Sequence, residues 1–118
     1  MAAKDELGKR GEAIAARYLW GAGYEIVERN WRCRLGEIDL VARDGDELVF
    51  VEVKTRSSVA FGHPLEAITL QKLARLRRLA AAWCEAHPGR HAGIRIDAVA
   101  VIAPRRGEFE IDHLRRVF

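Results

Sequence analysis

Three ionisable side chains stand where core residues are expected. Residues 37–43, Glu-Ile-Asp-Leu-Val-Ala-Arg, read as one strand, and residues 47–54, Glu-Leu-Val-Phe-Val-Glu-Val-Lys, as a second. Asp44-Gly45-Asp46 between them is a hairpin signal. Glu52 and Lys54 are two apart on a strand, so their side chains leave the same face. Asp39 lies on the neighbouring strand. With Gly45 and Asp46 as a two-residue turn, Asp39 sits directly opposite Glu52. With Asp44 and Gly45 as the turn, the two are diagonal on one face, and a three-residue loop would put them on opposite faces. Glu37, by alternation, is expected to face away from Asp39.

Two carboxylates about 5 Å apart repel one another unless something bridges them. A divalent cation does so, and Mg²⁺ or Mn²⁺ suits oxygen ligands, often keeping only one or two carboxylates alongside water and phosphate. Lys54 beside them could orient a water or stabilise charge developing on a phosphate. These are the parts of metal-assisted hydrolysis of a phosphodiester.

The elements that must position these groups follow from hydrophobic periodicity. Residues 5–20 form a helix with Leu7, Gly11, Ile14 and Tyr18 on one stripe, ended by Gly21 and Gly23. Glu12 falls on the flank of that stripe. Residues 24–29 are a short β-prone segment. In residues 47–54, Val49, Val51 and Val53 occupy one face, and Leu48 and Phe50 join Glu52 and Lys54 on the other. Apolar residues on both faces imply a central, doubly covered strand. After a polar loop over 55–64, residues 65–87 read as one long helix with Leu65, Thr69, Leu73, Leu76, Ala80 and Trp83 buried. Gln71, Arg75 and Arg78 line its opposite face, and Pro88-Gly89 ends it. Residues 94–102 are a buried strand, and 108–112 a short last one. A helical crossover would place strand 94–102 parallel to strand 47–54. The order αβββαββ makes a mixed α/β sheet flanked by helices.

Composition narrows the class. The chain has 118 residues, 49% of them apolar, and a formal charge of +3. That fits one globular domain over residues 1–118 and excludes a disordered chain. No apolar run is long enough to cross a bilayer, and the first residues lack the apolar core of a secretory signal, so a cytoplasmic location is expected. Cys33 and Cys84 have neither the spacing nor the neighbours of a zinc site. Residues 1–59 hold ten basic and eleven acidic side chains, and residues 60–118 hold ten and six, so the second half carries a surplus of four positive charges. Such a surplus suits a polyanion. Trp31 and Trp83 read as core and His63 as a turn residue.

Gly36-Glu37-Ile38-Asp39-Leu40 followed by Phe50-Val51-Glu52-Val53-Lys54-Thr55-Arg56 resembles the PD-(D/E)xK nuclease superfamily, whose fold is restriction-endonuclease-like. More narrowly, the chain resembles the YraN family of small bacterial proteins, related to Holliday junction resolvases. The likeness extends through Gly11-Glu12, Tyr24, Asn30-Trp31-Arg32, Phe61-Gly62 and Lys72. It implies that Asp39 and Glu52 are metal-binding carboxylates, with the main-chain carbonyl of Val53 as a further ligand. It also implies that Lys54 is the catalytic lysine and that Glu12 is an added acidic residue. Ile38 stands where the motif usually has proline. Gln71 and Lys72 match a polar position that reaches the site, and Arg56, Arg75 and Arg78 are candidate DNA contacts. The implied activity is Mg²⁺-dependent endonucleolytic cleavage of DNA, branched or junction DNA included. A junction resolvase would need two active sites and so a two-fold homodimer. The alternatives are a non-catalytic nucleic-acid-binding module of the same fold, and a structural ion-pair network.

Overall fold

The computed structural model describes residues 3–117 apart from 61, 90 and 92, with side chains from residue 6 onward. Phe61, part of the sequence resemblance, lies outside the described residues. Two helices and five strands follow in the order α1 (Ala3–Gly21), β1 (Glu25–Cys33), β2 (Gly36–Asp44), β3 (Glu47–Arg56), α2 (Leu70–Ala86), β4 (Gly93–Ile102) and β5 (Glu110–Leu114). The strands form one sheet in sequential order, with β3 central. Only β3 and β4 run parallel, joined by the α2 crossover, and every other neighbouring pair is antiparallel. This is the mixed αβββαββ sheet that the sequence pattern predicts.

The central strand is buried on both sides. Leu40, Ala42, Val49, Val51, Val53, Val99 and Val101 pack beneath Ala15, Ala16 and Leu19 of α1. Ile38, Val41, Leu48, Phe50 and Ile96 pack beneath Leu73, Leu76, Leu79 and Trp83 of α2. The α1 stripe is centred on Gly11, Ala15 and Leu19, with Leu7, Ile14 and Tyr18 only half-buried beside it. Small residues let this helix lie close to β3. A Cβ added at Gly11 would stand 1.8 Å from Thr55 Oγ1, so only glycine allows that approach.

The long helix expected over 65–87 is two pieces. Pro64–Ala67 is a 3-10 turn, the chain becomes extended at Ile68, and α2 starts after Thr69. Thr69 is exposed and is not in the buried stripe. Its hydroxyl accepts the Lys72 N–H at 3.2 Å, so it caps α2 and stops the helix extending backwards. His63 caps the 3-10 turn, its Nδ1 accepting the Leu65 N–H, while Glu66 accepts the His63 N–H. The first strand runs to Cys33 rather than residue 29, and the last lies at 110–114 rather than 108–112. Cys33 and Cys84 are both free thiols. Among the described residues no helix is long and apolar enough to cross a membrane.

β4 carries a polar cluster inside an apolar strand. Arg95 and Asp97 are 5% and 0% exposed. Asp97 accepts from Arg95 Nε at 2.9 Å, from His113 Nε2 at 2.7 Å and from the Arg116 N–H at 3.1 Å. Arg95 also reaches Asp44 at 2.9 Å, which ties β4 to the β2–β3 hairpin. These partners hold the Asp97 carboxyl below the usual carboxylate range despite its burial.

Candidate active site

The hairpin turn decides the geometry. Asp44 pairs with Glu47, so Gly45 and Asp46 form the two-residue turn, with Gly45 at φ 62°. Continuing that register from the last ladder pair, Leu40 with Val51, brings Asp39 opposite Glu52. The ladder stops there because the strand changes phase. Leu40 faces α1 and Val41 faces α2, yet Ile38 also faces α2. Asp39 occupies the slip, and its Oδ2 accepts the Val53 N–H at 2.8 Å in place of a main-chain carbonyl. The aspartate is thereby fixed against the end of β3, where Glu52 and Lys54 emerge.

The same slip corrects the expectation for Glu37. Alternation predicts that Glu37 faces away from Asp39. Instead, carboxylate oxygens of Glu12, Glu37 and Asp39 lie within 4.8 Å of one another. Period-two alternation holds only in a regular strand, and β2 is not regular at residues 38–40. Glu12 arrives from α1 because Gly11 docks on Thr55, and Asn30 Nδ2 donates to Glu12 Oε1 at 2.8 Å. Glu37 is held by Arg32 Nε at 2.6 Å.

A cavity of about 250 Å³ opens over these groups on the α2 side. Glu37, Asp39, Glu52, Lys54, Lys72 and Arg75 supply its polar wall, and Leu76 and Leu79 its apolar wall. Lys54 Nζ is 3.8 Å from Glu52 Oε2. Burial, then the neighbouring Glu52 carboxylate, pushes the Asp39 carboxyl up to about 8. Burial also raises Glu52, while Lys54, hydrogen bonding with Asp39 and the more distant Lys72 pull it part of the way back. Even with Lys54 adjoining and Lys72 and Arg75 in the wall, both carboxyls stay above their ordinary range, so at neutral pH the pair favours a bound proton or a cation. The oxygen-only donor set fits a hard divalent ion such as Mg²⁺ or Mn²⁺.

The candidate DNA contacts are not all brought to the cavity. Lys72 lines it, with Nζ donating to the Ala67 carbonyl at 3.0 Å. Arg75 lines it too, but its guanidinium donates twice to the Leu35 carbonyl, at 3.1 and 3.0 Å. Arg75 therefore braces the β1–β2 turn, where Gly36 has φ 141° and a Cβ would meet Arg75 Nη2 at 2.6 Å. Gln71 and Arg78 are exposed on α2 outside the cavity wall, and Arg56 is exposed at the end of β3. Sequence reasoning gave Arg75 a surface role. Its bracing of the turn connects residues forty apart, and no local pattern carries that.

The arrangement is a hairpin-borne carboxylate pair with an adjoining lysine at the end of a mixed sheet's central strand. The profile of the family described as "Uncharacterised protein family UPF0102" matches residues 11–101, from Gly11 through β4, and the chain belongs to that family. A UPF0102 protein of Beutenbergia cavernae is 61% identical over 117 residues, covering 99% of each chain. One from an Arthrobacter species is 57% identical over the same share. Among solved structures, Archaeoglobus fulgidus Hjc, a Holliday junction resolvase, is similar at 18% identity and a TM-score of 0.49, over 88% of this chain and 74% of that one.

Proposed function

We propose that this protein is a divalent-metal-dependent endonuclease that hydrolyses DNA phosphodiester bonds. The observation that carries this reading is the apposed pair Asp39 and Glu52, both raised by burial, with Lys54 adjoining them at the cavity. A purely structural ion-pair network would keep its carboxyls readily ionised. This pair is held above the ordinary carboxylate range and faces a cavity, which a cation and a phosphate would fill together.

Asp39 and Glu52 would hold the ion, with the Val53 carbonyl completing the protein's share. The bound Mg²⁺ would polarise the phosphate and lower the pKa of a coordinated water. Asp39 is held to β3 by the Val53 N–H, so its free oxygen stays aimed at the cavity. Lys54 donates toward the phosphate's non-bridging oxygen or orients the attacking water, and its contact with Glu52 limits its motion. Lys72 adds positive charge on the opposite wall. Glu37 in the cavity wall and Glu12 from α1 enlarge the negative field, and Asn30 and Arg32 restrain them.

The test is cleavage of linear, nicked, flapped and four-way DNA with Mg²⁺, Mn²⁺ or EDTA, using wild type and Asp39→Ala. Metal-dependent cutting by wild type that is lost in Asp39→Ala supports the proposal. DNA binding with no cleavage under any metal replaces it with a non-catalytic binding module of the same fold.

A further inference from the structure

On the other sheet face, a second cavity of about 370 Å³ opens between α1 and β5 and shares no lining residue with the first. It falls in the size range of small-ligand pockets. Ala13, Ile14 and Ile111 make an apolar floor. Phe109 stands at the rim, 49% exposed. Arg10 and Arg17 flank the opening, and among the described residues the lining contains no carboxylate. Arg10 is anchored, Nη1 donating to the Pro104 carbonyl at 3.2 Å. The two arginines are seven residues apart on one helix, hence about 10 Å apart along its axis. That spacing suits two successive anionic groups better than a single one.

Tyr18, in the same wall, ends a buried hydrogen-bonded chain. Its hydroxyl is 3.1 Å from His113 Nδ1, and His113 Nε2 is 2.7 Å from Asp97 Oδ2. The carboxylate only accepts, so Nε2 carries the ring proton. In the neutral ring Nδ1 must then accept, and the Tyr18 hydroxyl donates to it. The hydroxyl's lone pairs are left to accept an N–H from a ligand. The wall thus combines an aromatic rim, an oriented acceptor and two separated cations.

We propose that this cavity holds one unstacked base of a single-stranded nucleic-acid segment. The flanking phosphates would lie on Arg10 and Arg17, the base would stack on Phe109, and its N–H edge would meet the Tyr18 oxygen. The proposal rests on the nucleic-acid reading of the first site and gives it a specificity for unpaired strand. Stacking on aromatic side chains tolerates any base and is a common way to hold single strands.

The test is fluorescence anisotropy in EDTA with a short labelled single strand and with fully paired duplex, for wild type, Phe109→Ala, Phe109→Trp and Arg17→Glu. Phe109→Ala should lose about tenfold in single-strand affinity, the effect of one lost stacked base, and keep its duplex affinity. Phe109→Trp should restore binding, and Arg17→Glu should weaken single-strand binding with a shallower salt slope. Because Phe109 and Arg17 are exposed, folding should survive, which circular dichroism checks. Equal losses on strand and duplex, or no loss on either, overturn the pocket while leaving the first site standing. A wild type that binds no nucleic acid overturns both proposals. dAMP binding as tightly as the strand replaces the strand with a free nucleotide as occupant.

Discussion

Replacing Asp39 with Asn separates the cost of the empty carboxylate pair from its purpose. The amide oxygen can still accept the Val53 N–H, so the β2–β3 connection survives while the negative charge goes. Asp39 rises from an ordinary 3.8 to about 8 in the folded chain. A carboxyl whose folded pKa lies above its unfolded one holds its proton better when folded. Its favourable contribution is complete below about pH 4 and is lost as pH climbs through about 8. Taken alone, that rise corresponds to roughly 5–6 kcal/mol at 1.36 kcal/mol per pKa unit. Glu52 shares the penalty and the cavity mouth admits water, so the expected loss is about 2 kcal/mol. Without metal, Asp39→Asn should therefore match wild type near pH 4 and exceed it by about 2 kcal/mol at pH 8, or about 8 °C in Tm for a chain of this size. Added Mg²⁺ should raise the wild-type Tm at pH 8 and leave the variant's unchanged. Thermal denaturation monitored by circular dichroism reads all of this. An Asn variant no more stable than wild type at pH 8, with the same pH slope, refutes the reasoning.

Lys54→Met should reduce cleavage by about 10²–10³-fold, the scale of losing one preorganised stabilising group, with Tm in Mg²⁺ nearly unchanged; single-turnover kinetics and melting check it together. Gly11→Ala should destabilise by about 1–3 kcal/mol through overpacking against Thr55, and urea titration should show the loss. Asp97→Ala should cost about 1–3 kcal/mol, because Arg95 Nε, His113 Nε2 and the Arg116 N–H lose their acceptor while Asp44 still pairs with Arg95. The lowered pKa of Asp97 means that its stabilisation is present above about pH 4 and is lost as pH falls further, which acid denaturation of wild type against the variant would show. Arg78→Ala should flatten the salt dependence of DNA binding with no effect on Tm, whereas Arg75→Ala should lower Tm because it releases the Leu35 carbonyl.

The sheet was legible because its strands are apolar, β-branched runs bounded by turn signals, and its hairpin carries a glycine at the turn. The facing of Asp39 and Glu52 hung on turn length alone, and the Asp44–Glu47 pair resolves it. The position of Glu37 was not legible. Alternation assumes regular pleating, and the phase slip at Asp39 arises where the β2–β3 ladder ends. The break before α2 had a readable sign in Pro64 and in Thr69, a good capping residue, but Leu65 and Thr69 fit the helical stripe well enough to hide it. The Arg95–Asp97–His113 cluster also left a trace, since two charges inside an apolar strand demand partners. Those partners, Tyr24, Asp44 and His113, come from distant elements that only the folded chain brings together.

The central claim is that Asp39 and Glu52 are spaced and desolvated to hold a divalent cation. Anomalous diffraction from a crystal soaked in Mn²⁺ at about pH 8 tests it most directly. The account predicts one Mn²⁺ peak bounded by Asp39, Glu52 and the Val53 carbonyl, and no peak there in Asp39→Asn. A peak among Glu12, Glu37 and Asp39 that excludes Glu52, or no peak at this end of β3, would contradict it.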